Sequence, residues 1–182
     1  MSEFLHDAEQ RTESWQRRHS PEAIAQLGVW RWKGIQKHAA RILDAICGKR
    51  VIDFGGADGP LGFGSIVVDS KSEAKTLDDI AGQVDVIFTS HTLEHVEDVE
   101  GFLTESFHKL LNGGVLIAHV PAWTCERWRA DRYNNSAQPN GHKHTFDIPG
   151  LAERFSLSGF DMELAEYCGD DSIIIFARKL CE

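Results

Sequence analysis

Asp53-Phe54-Gly55-Gly56-Ala57-Asp58-Gly59 follows directly on the apolar run Val51–Phe54. Glycines in that place let the backbone turn sharply and approach a ligand closely. In a doubly wound sheet, ligands bind beyond the carboxyl ends of the strands, where the strand order reverses. Asp69 ends the next apolar run, Ile66–Val68. A carboxylate at that point can accept hydrogen bonds from both hydroxyls of a ribose. The competing reading is a turn that needs glycines for backbone reasons alone, beside a solvated Asp69.

Histidines form the second group. His91-Thr92-Leu93-Glu94-His95 spells H-x-x-E-H, a pattern in which two histidines on one helix face bind zinc and the glutamate activates water. Here His91 ends a β-type run, so the two histidines need not share a helix face, and the zinc-peptidase reading is remote. Glu94 and His95 read instead as a polar strand-to-helix turn whose carboxylate caps or pairs locally. His142 and His144 stand two apart, and alternate residues of an extended segment face the same way. With His91 they make a conceivable three-histidine metal set, but nothing in the spacing forces them together, so no metal ligand is assigned. An imidazole can take a proton near neutral pH, which makes His91 and His144 the candidate catalytic bases. A solvated loop is the alternative for His142 and His144. Trp123, Trp128, Tyr133 and Phe146 would either shape an acceptor pocket or close the core as an apolar flap.

These residues need elements to position them. Ser20-Pro21-Glu22 reads as a helix start, and apolar residues then recur with helical spacing from Ile24 to Ile46, with Gly48 just past the end and Gly34 a weak point that can split the stretch into two helices. Val51–Phe54, Ile66–Val68 and Val84–Ser90 read as strands. Asp98–Leu111 reads as a helix stopped by Asn112-Gly113-Gly114, and Val115–Val120 as a strand ended by Pro121. Residues 122–147 form a long connection. Ile148–Arg154 reads as a helix, and Asp161–Tyr167 with Ser172–Arg178 as a closing hairpin. Apolar strands alternating with helices predict a parallel sheet covered on both faces. The expected division is a polar arm over residues 1–20 and a single domain over 21–182.

Composition bounds the possibilities. A hydrophobic fraction of 42% and a charged fraction of 26% are ordinary for a globular protein. The formal net charge of −9 argues against a nucleic-acid partner, which needs a basic face; Arg127, Arg129 and Arg132 are a local cluster at most. No apolar run approaches the ~20 residues of a membrane span, and Met1–Gln10 carries no signal-type core. Cys47, Cys125, Cys168 and Cys181 are scattered without a C-x-x-C pair, which fits reduced thiols and a cytoplasmic location.

Several blocks in order carry a resemblance. The segment Asp53–Gly59 resembles the D-x-G-x-G-x-G motif of class I S-adenosylmethionine (SAM)-dependent methyltransferases, with Ala57 replacing the middle glycine. Ser90-His91-Thr92-Leu93-Glu94-His95 resembles the family's S-x-x-L-E-H segment, and Leu110–Pro121 its Gly-Gly, strand, Pro block. His144–Asp147, followed by Leu151 and Gly159-Phe160, is similar to its later segment. The resemblance spans roughly residues 35–178. It implies an α/β, Rossmann-like, mostly parallel sheet with helices on both faces and a C-terminal antiparallel hairpin. It implies SAM as cofactor, with Asp53, Gly55, Gly56, Ala57 and Gly59 at its amino-acid end, Asp69 on the ribose, Asp78 or Asp79 near the adenine, and Ser90 and His91 lining the floor. The implied reaction is methyl transfer to an oxygen or nitrogen of a small-molecule or sugar acceptor, without membrane association and with homo-oligomerisation open.

The chain also departs from that pattern. The stretch 55–64, GGADGPLGFG, has five glycines and one proline, so the usual helix after the first motif is lost or cut to one turn. Only Ser70–Val84 stand where the family has a helix and a strand, so the family's third strand is expected to be absent and the fold reduced over 55–84. A degenerate relative that no longer binds SAM and acts as a binding or assembly partner is the alternative function.

Overall fold

The computed structural model describes residues 20, 22–23, 33–125, 141–169 and 171–180. Residues 1–19 of the expected N-terminal arm, residues 24–32 of the expected helical stretch, Arg127, Trp128, Arg129, Arg132 and Tyr133 lie outside the described residues. Among these residues six strands form one sheet: β1 (Val51–Phe54), β2 (Ile66–Val68), β3 (Val84–Ser90), β4 (Leu110–Pro121), β5 (Phe160–Tyr167) and β6 (Ser172–Lys179). Their order is β2-β1-β3-β4-β6-β5. The first four run parallel, while β6 is antiparallel to both β4 and β5. The mostly parallel sheet with a closing hairpin is thus the architecture that the alternation of elements predicts.

Among the described residues four helices cover it: α1 (Lys33–Gln36), α2 (Ala39–Ile46), α3 (Val99–Lys109) and α4 (Ile148–Leu157). Side chains alternate along each strand, so the sheet feeds two separate cores. Ile52, Ile87, Leu116, Ala118 and Ile175 face α3 and α4. Val51, Val86, Phe88, Ile117 and Phe176 face Ile35, Ile42, Leu43 and Ile46 of α1 and α2. Asp98 caps α3 by accepting from the Gly101 N–H at 2.8 Å, and Asp147 caps α4 by accepting from Gly150 at 2.8 Å. Ser20 accepts from the Ala23 N–H at 3.2 Å, as the Ser-Pro-Glu start requires.

Several boundaries move: β4 begins at Leu110 rather than Val115 and ends at Pro121 rather than Val120, α4 runs to Leu157 rather than Arg154, and β5 and β6 each gain one residue. Among the described residues the N-terminal helical stretch divides at Lys37-His38, and Gly34 lies inside α1. The helix expected to run to Leu111 ends at Lys109, and Leu110 already begins β4. The buried Leu110 is needed in the strand, where it pairs with Val84.

The shortened region behaves as its glycines dictate. No helix lies between β1 and β2. Residues 55–65 cross over as turns, and Leu61, fully buried, inserts into the α1–α2 core. One leucine therefore plugs a face that a helix would otherwise cover. Between β2 and β3 the described chain has a single 3-10 turn, Leu77–Asp79, and one isolated parallel bridge, Val68 to Ala74. The third family strand is absent here. No described helix is long and apolar enough to cross a membrane.

Candidate active site

The glycine turn is held from beneath. Asp53, 2% exposed, accepts from the Leu61 N–H at 2.6 Å. Burial pushes its carboxyl up to about 6; the Leu61 N–H opposes this and the nearby Asp69 adds to it. Gly55 has φ +83°, and a Cβ there would lie 2.0 Å from Thr92 Oγ1. A Cβ on Gly56 would lie 2.1 Å from Asp53 Oδ2. Both glycines are thus needed, because the turn is squeezed between the loop after β3 and the carboxylate below. The N–H groups of Gly56 and Ala57 find no acceptor among the described residues, while Gly59 N–H closes the turn onto Gly56 O at 3.0 Å. Asp53 positions the cradle, and the free backbone donors suit the carboxylate of an amino-acid ligand.

Asp69 follows β2, half-buried. Its Oδ1 accepts from the Lys71 N–H at 2.8 Å and from Ser70 Oγ at 3.3 Å, and its own N–H donates to Ala74 O and Ser72 Oγ. Lys71 pairs with Asp58 at 2.6 Å, tying the β2 loop to the glycine turn. Asp78 and Asp79 lie in the 3-10 turn Leu77–Asp79 between β2 and β3. Asp79 accepts from the N–H groups of Thr76 and Lys75, which hold its carboxyl below the usual range. Asp78 lines a cleft with Gln83 and Lys109, beside the start of β3. Another cleft, lined by Arg41, Asp44, Glu163 and Arg178 among others, likewise opens at the amino ends of the strands.

Ser90 ends β3 and His91 follows it. His91 has φ +51°, an uncommon conformation for a side-chain-bearing residue, and its N–H donates to His119 O at 2.8 Å. His119 is fully buried in β4. Its Nδ1 lies 3.0 Å from Ser90 Oγ and its Nε2 2.7 Å from Ser172 Oγ. A neutral imidazole donates at one nitrogen and accepts at the other, so it can link β3, β4 and β6 through two serines. Ser90, expected on the cofactor floor, spends its hydroxyl on this link.

Glu94, read from the sequence as a carboxylate that caps or pairs locally, is a hub that also reaches a distant histidine. It lies in a 3-10 turn, Leu93–His95, and is 1% exposed. Its Oε1 lies 3.5 Å from His91 Nδ1, 3.8 Å from His142 Nε2 and 3.9 Å from His95 Nε2. Neither of its oxygens accepts a hydrogen bond among the described residues. The segment 141–146 is strapped onto this turn. Lys143 N–H donates to Glu94 O at 2.7 Å, His144 N–H to the same oxygen at 3.3 Å, and the Lys143 side chain pairs with Glu97. Phe146, buried, then bridges Ala122 just beyond β4. His142 is thereby delivered to Glu94. His144 is not: its Nε2–H donates to Val96 O at 2.8 Å. Of the three spaced histidines, the fold gathers His91 and His142 on one carboxylate and turns His144 aside. Trp123 stands 51% exposed at the same end. His119 and Ser172 also escaped sequence reasoning; the available signal was a lone polar residue within the apolar run Val115–Val120.

The family profile described as "Methyltransferase domain" matches residues 30–165. No curated protein matches the chain. Among solved structures, it is similar to the 1,6-didemethyltoxoflavin-N1-methyltransferase of Burkholderia thailandensis with bound 1,6-didemethyltoxoflavin and S-adenosylhomocysteine (TM-score 0.61, 16% identity, 98% of this chain and 90% of that one). It is also similar to a SAM-dependent methyltransferase of Thermotoga maritima (0.56, 16%, 98% and 100%). A third likeness is to a chain from a Haloferax volcanii complex of a methyltransferase with its activator (0.57, 13%, 87% and 97%). The profile covers most of the chain, so this chain belongs to the methyltransferase-domain family, with the mostly parallel sheet and closing hairpin of the class I methyltransferase fold, reduced between β1 and β3.

Proposed function

We propose that this protein transfers the methyl group of SAM to an oxygen or nitrogen of a small-molecule or sugar acceptor, at the carboxyl ends of β1–β4. The observation that carries the reading is a junction: Gly55 abuts Thr92, so the glycine cradle and the His91–Glu94 loop are neighbours. One offers open backbone donors and the other imidazoles. Bound there, SAM supplies a methyl carbon that passes in line to the acceptor while the electron pair stays on sulfur. The chain's own residues have three tasks. Gly56 and Ala57 offer N–H groups to the cofactor's carboxylate, Asp69 accepts from its ribose hydroxyls, and His91 takes the proton that the acceptor loses. His91 is preferred over His144, the other candidate base, because His144 already donates to Val96 O. A reaction of this kind depends mainly on positioning, which suits a site built on strand ends and strapped loops.

Titrating S-adenosylhomocysteine into the protein by calorimetry tests the reading. Wild type is expected to bind. Asp69→Ala is expected to bind about 10–100-fold more weakly, since charged hydrogen bonds contribute roughly 1.5–3 kcal/mol. Folded wild-type protein that gives no heat at millimolar ligand overturns the reading and returns the non-binding scaffold.

A further inference from the structure

We infer that Glu94, His95 and His142 form a binding site for a divalent transition metal such as Zn²⁺. Their ligand atoms all lie within 4.8 Å of one another. The two His Nε2 atoms are 3.8 and 3.9 Å from Glu94 Oε1, too far for hydrogen bonds. Zinc held by nitrogen and oxygen at about 2.0–2.2 Å in a tetrahedron places its ligand atoms roughly 3.3–3.5 Å apart. The two Glu94–histidine spans are therefore a few tenths of an ångström wider than in a loaded site, and the full 4.8 Å span of the cluster must close by about 1.3–1.5 Å on loading.

Three further observations favour a cation. Glu94 is 1% exposed, and neither oxygen accepts a hydrogen bond among the described residues, although a buried carboxylate needs a positive partner or strong donors. Its ion-pair neighbours among those residues are all imidazoles, His91, His95 and His142, with no lysine or arginine. The His95 ring is already oriented as a metal ligand: its Nδ1 lies 3.3 Å from Gly141 O, which leaves Nε2 toward Glu94. A carbonyl bonded to the far nitrogen is the usual support of a ligating histidine.

The donor set, two imidazoles and one carboxylate, suits Zn²⁺ and other borderline divalent ions better than Ca²⁺ or Mg²⁺. Half-exposed His95 provides an entry path, whereas Glu94 and His142 are buried. This is not the peptidase arrangement that H-x-x-E-H suggests, because Glu94 acts here as a ligand, and His91, at φ +51°, shares no helix with His95. Resting on the methyltransferase reading, an open coordination position would hold an oxygen of the acceptor, which narrows that acceptor to an oxygen-donor molecule.

Tag-free full-length protein, stripped with chelator, is titrated with ZnCl₂ by calorimetry, and its Co²⁺-substituted absorption spectrum is recorded. One equivalent is expected to bind, with intense tetrahedral-type Co²⁺ bands. Glu94→Gln and His142→Ala should each weaken binding by about 10-fold or more, since even outer partners of a metal site contribute 10–100-fold; His108→Ala, on exposed α3 surface, should not. If Glu94→Gln fails to fold, His142→Ala and the wild-type Co²⁺ spectrum decide. No stoichiometric binding by wild type, or binding undiminished in His142→Ala, overturns the site. S-adenosylhomocysteine is titrated alongside. Nucleoside binding without metal removes the metal site alone, and metal binding without nucleoside removes the methyltransferase reading alone.

Discussion

Asp53 shows how one buried carboxylate shapes the site. Its carboxylate lies beneath the glycine turn, holds Leu61 N–H and excludes a side chain at Gly56. Its folded-state value is raised from 3.8 to about 6, chiefly by burial. The sign follows: a raised carboxyl stabilises the fold fully below the unfolded value, and that stability is lost as pH rises through about 6. The shift corresponds to at most about 3 kcal/mol. Asp53→Asn keeps the acceptor for Leu61 and removes the titration. Urea unfolding of both proteins between pH 4.5 and 7.5 is expected to show the variant gaining on wild type as pH rises, by about 1–3 kcal/mol. A pH-independent difference would sink this account. His119 is a second such residue, bridging Ser90 and Ser172 across three strands.

At the level of elements, the crossover from β1 to β2 does without a helix. Five glycines and a proline cannot sustain one, yet the apolar face it would cover still needs cover. Leu61 supplies part of it, and α1 with α2 supply the rest. Because no helix anchors the crossover, that one side chain carries it. Leu61→Ala is therefore expected to cost about 3–5 kcal/mol, the upper part of the range for buried leucines. Denaturant unfolding measures it, and a loss below ~1 kcal/mol would mean that the loop collapses freely into the gap. The strap 141–146 shows the same economy. Two backbone bonds to Glu94 O and the Phe146 bridge hold it in place of regular structure.

Across the whole molecule, the two cores lie on opposite faces of one sheet, and the candidate site sits at the strand ends where both meet solvent. A ligand bridging the loops after β1, β2 and β3 therefore ties together segments from three separate crossovers. Anything that binds only the folded state stabilises it by about 2.7 kcal/mol at a hundred times its Kd. For a domain of this size that corresponds to a Tm increase of roughly 5–10 °C. A thermal scan with saturating S-adenosylhomocysteine checks it, and Asp69→Ala should lose most of the shift at the same concentration. An unchanged wild-type Tm would speak against binding at the strand ends.

Much of the scaffold follows from local rules that a single sequence displays. Val51–Phe54, Ile66–Val68 and Val84–Ser90 are strands with the boundaries their apolar runs mark, and the glycines of 55–64 forbid a helix. Periodicity and turn chemistry act over a few residues, so they are legible without a partner. The site was only half legible. The glycine turn and Asp69 are local signals, as is the His91–His95 cluster. That His142 rather than His144 joins Glu94, that Asp53 faces inward, that Asp79 spends its carboxylate on Thr76 and Lys75, and that His119 bridges two serines all depend on how distant segments pack. Spacing shows that His142 and His144 face one way on an extended chain. The hydrogen bonds of Lys143 and His144 to Glu94 O decide which imidazole arrives at the buried carboxylate.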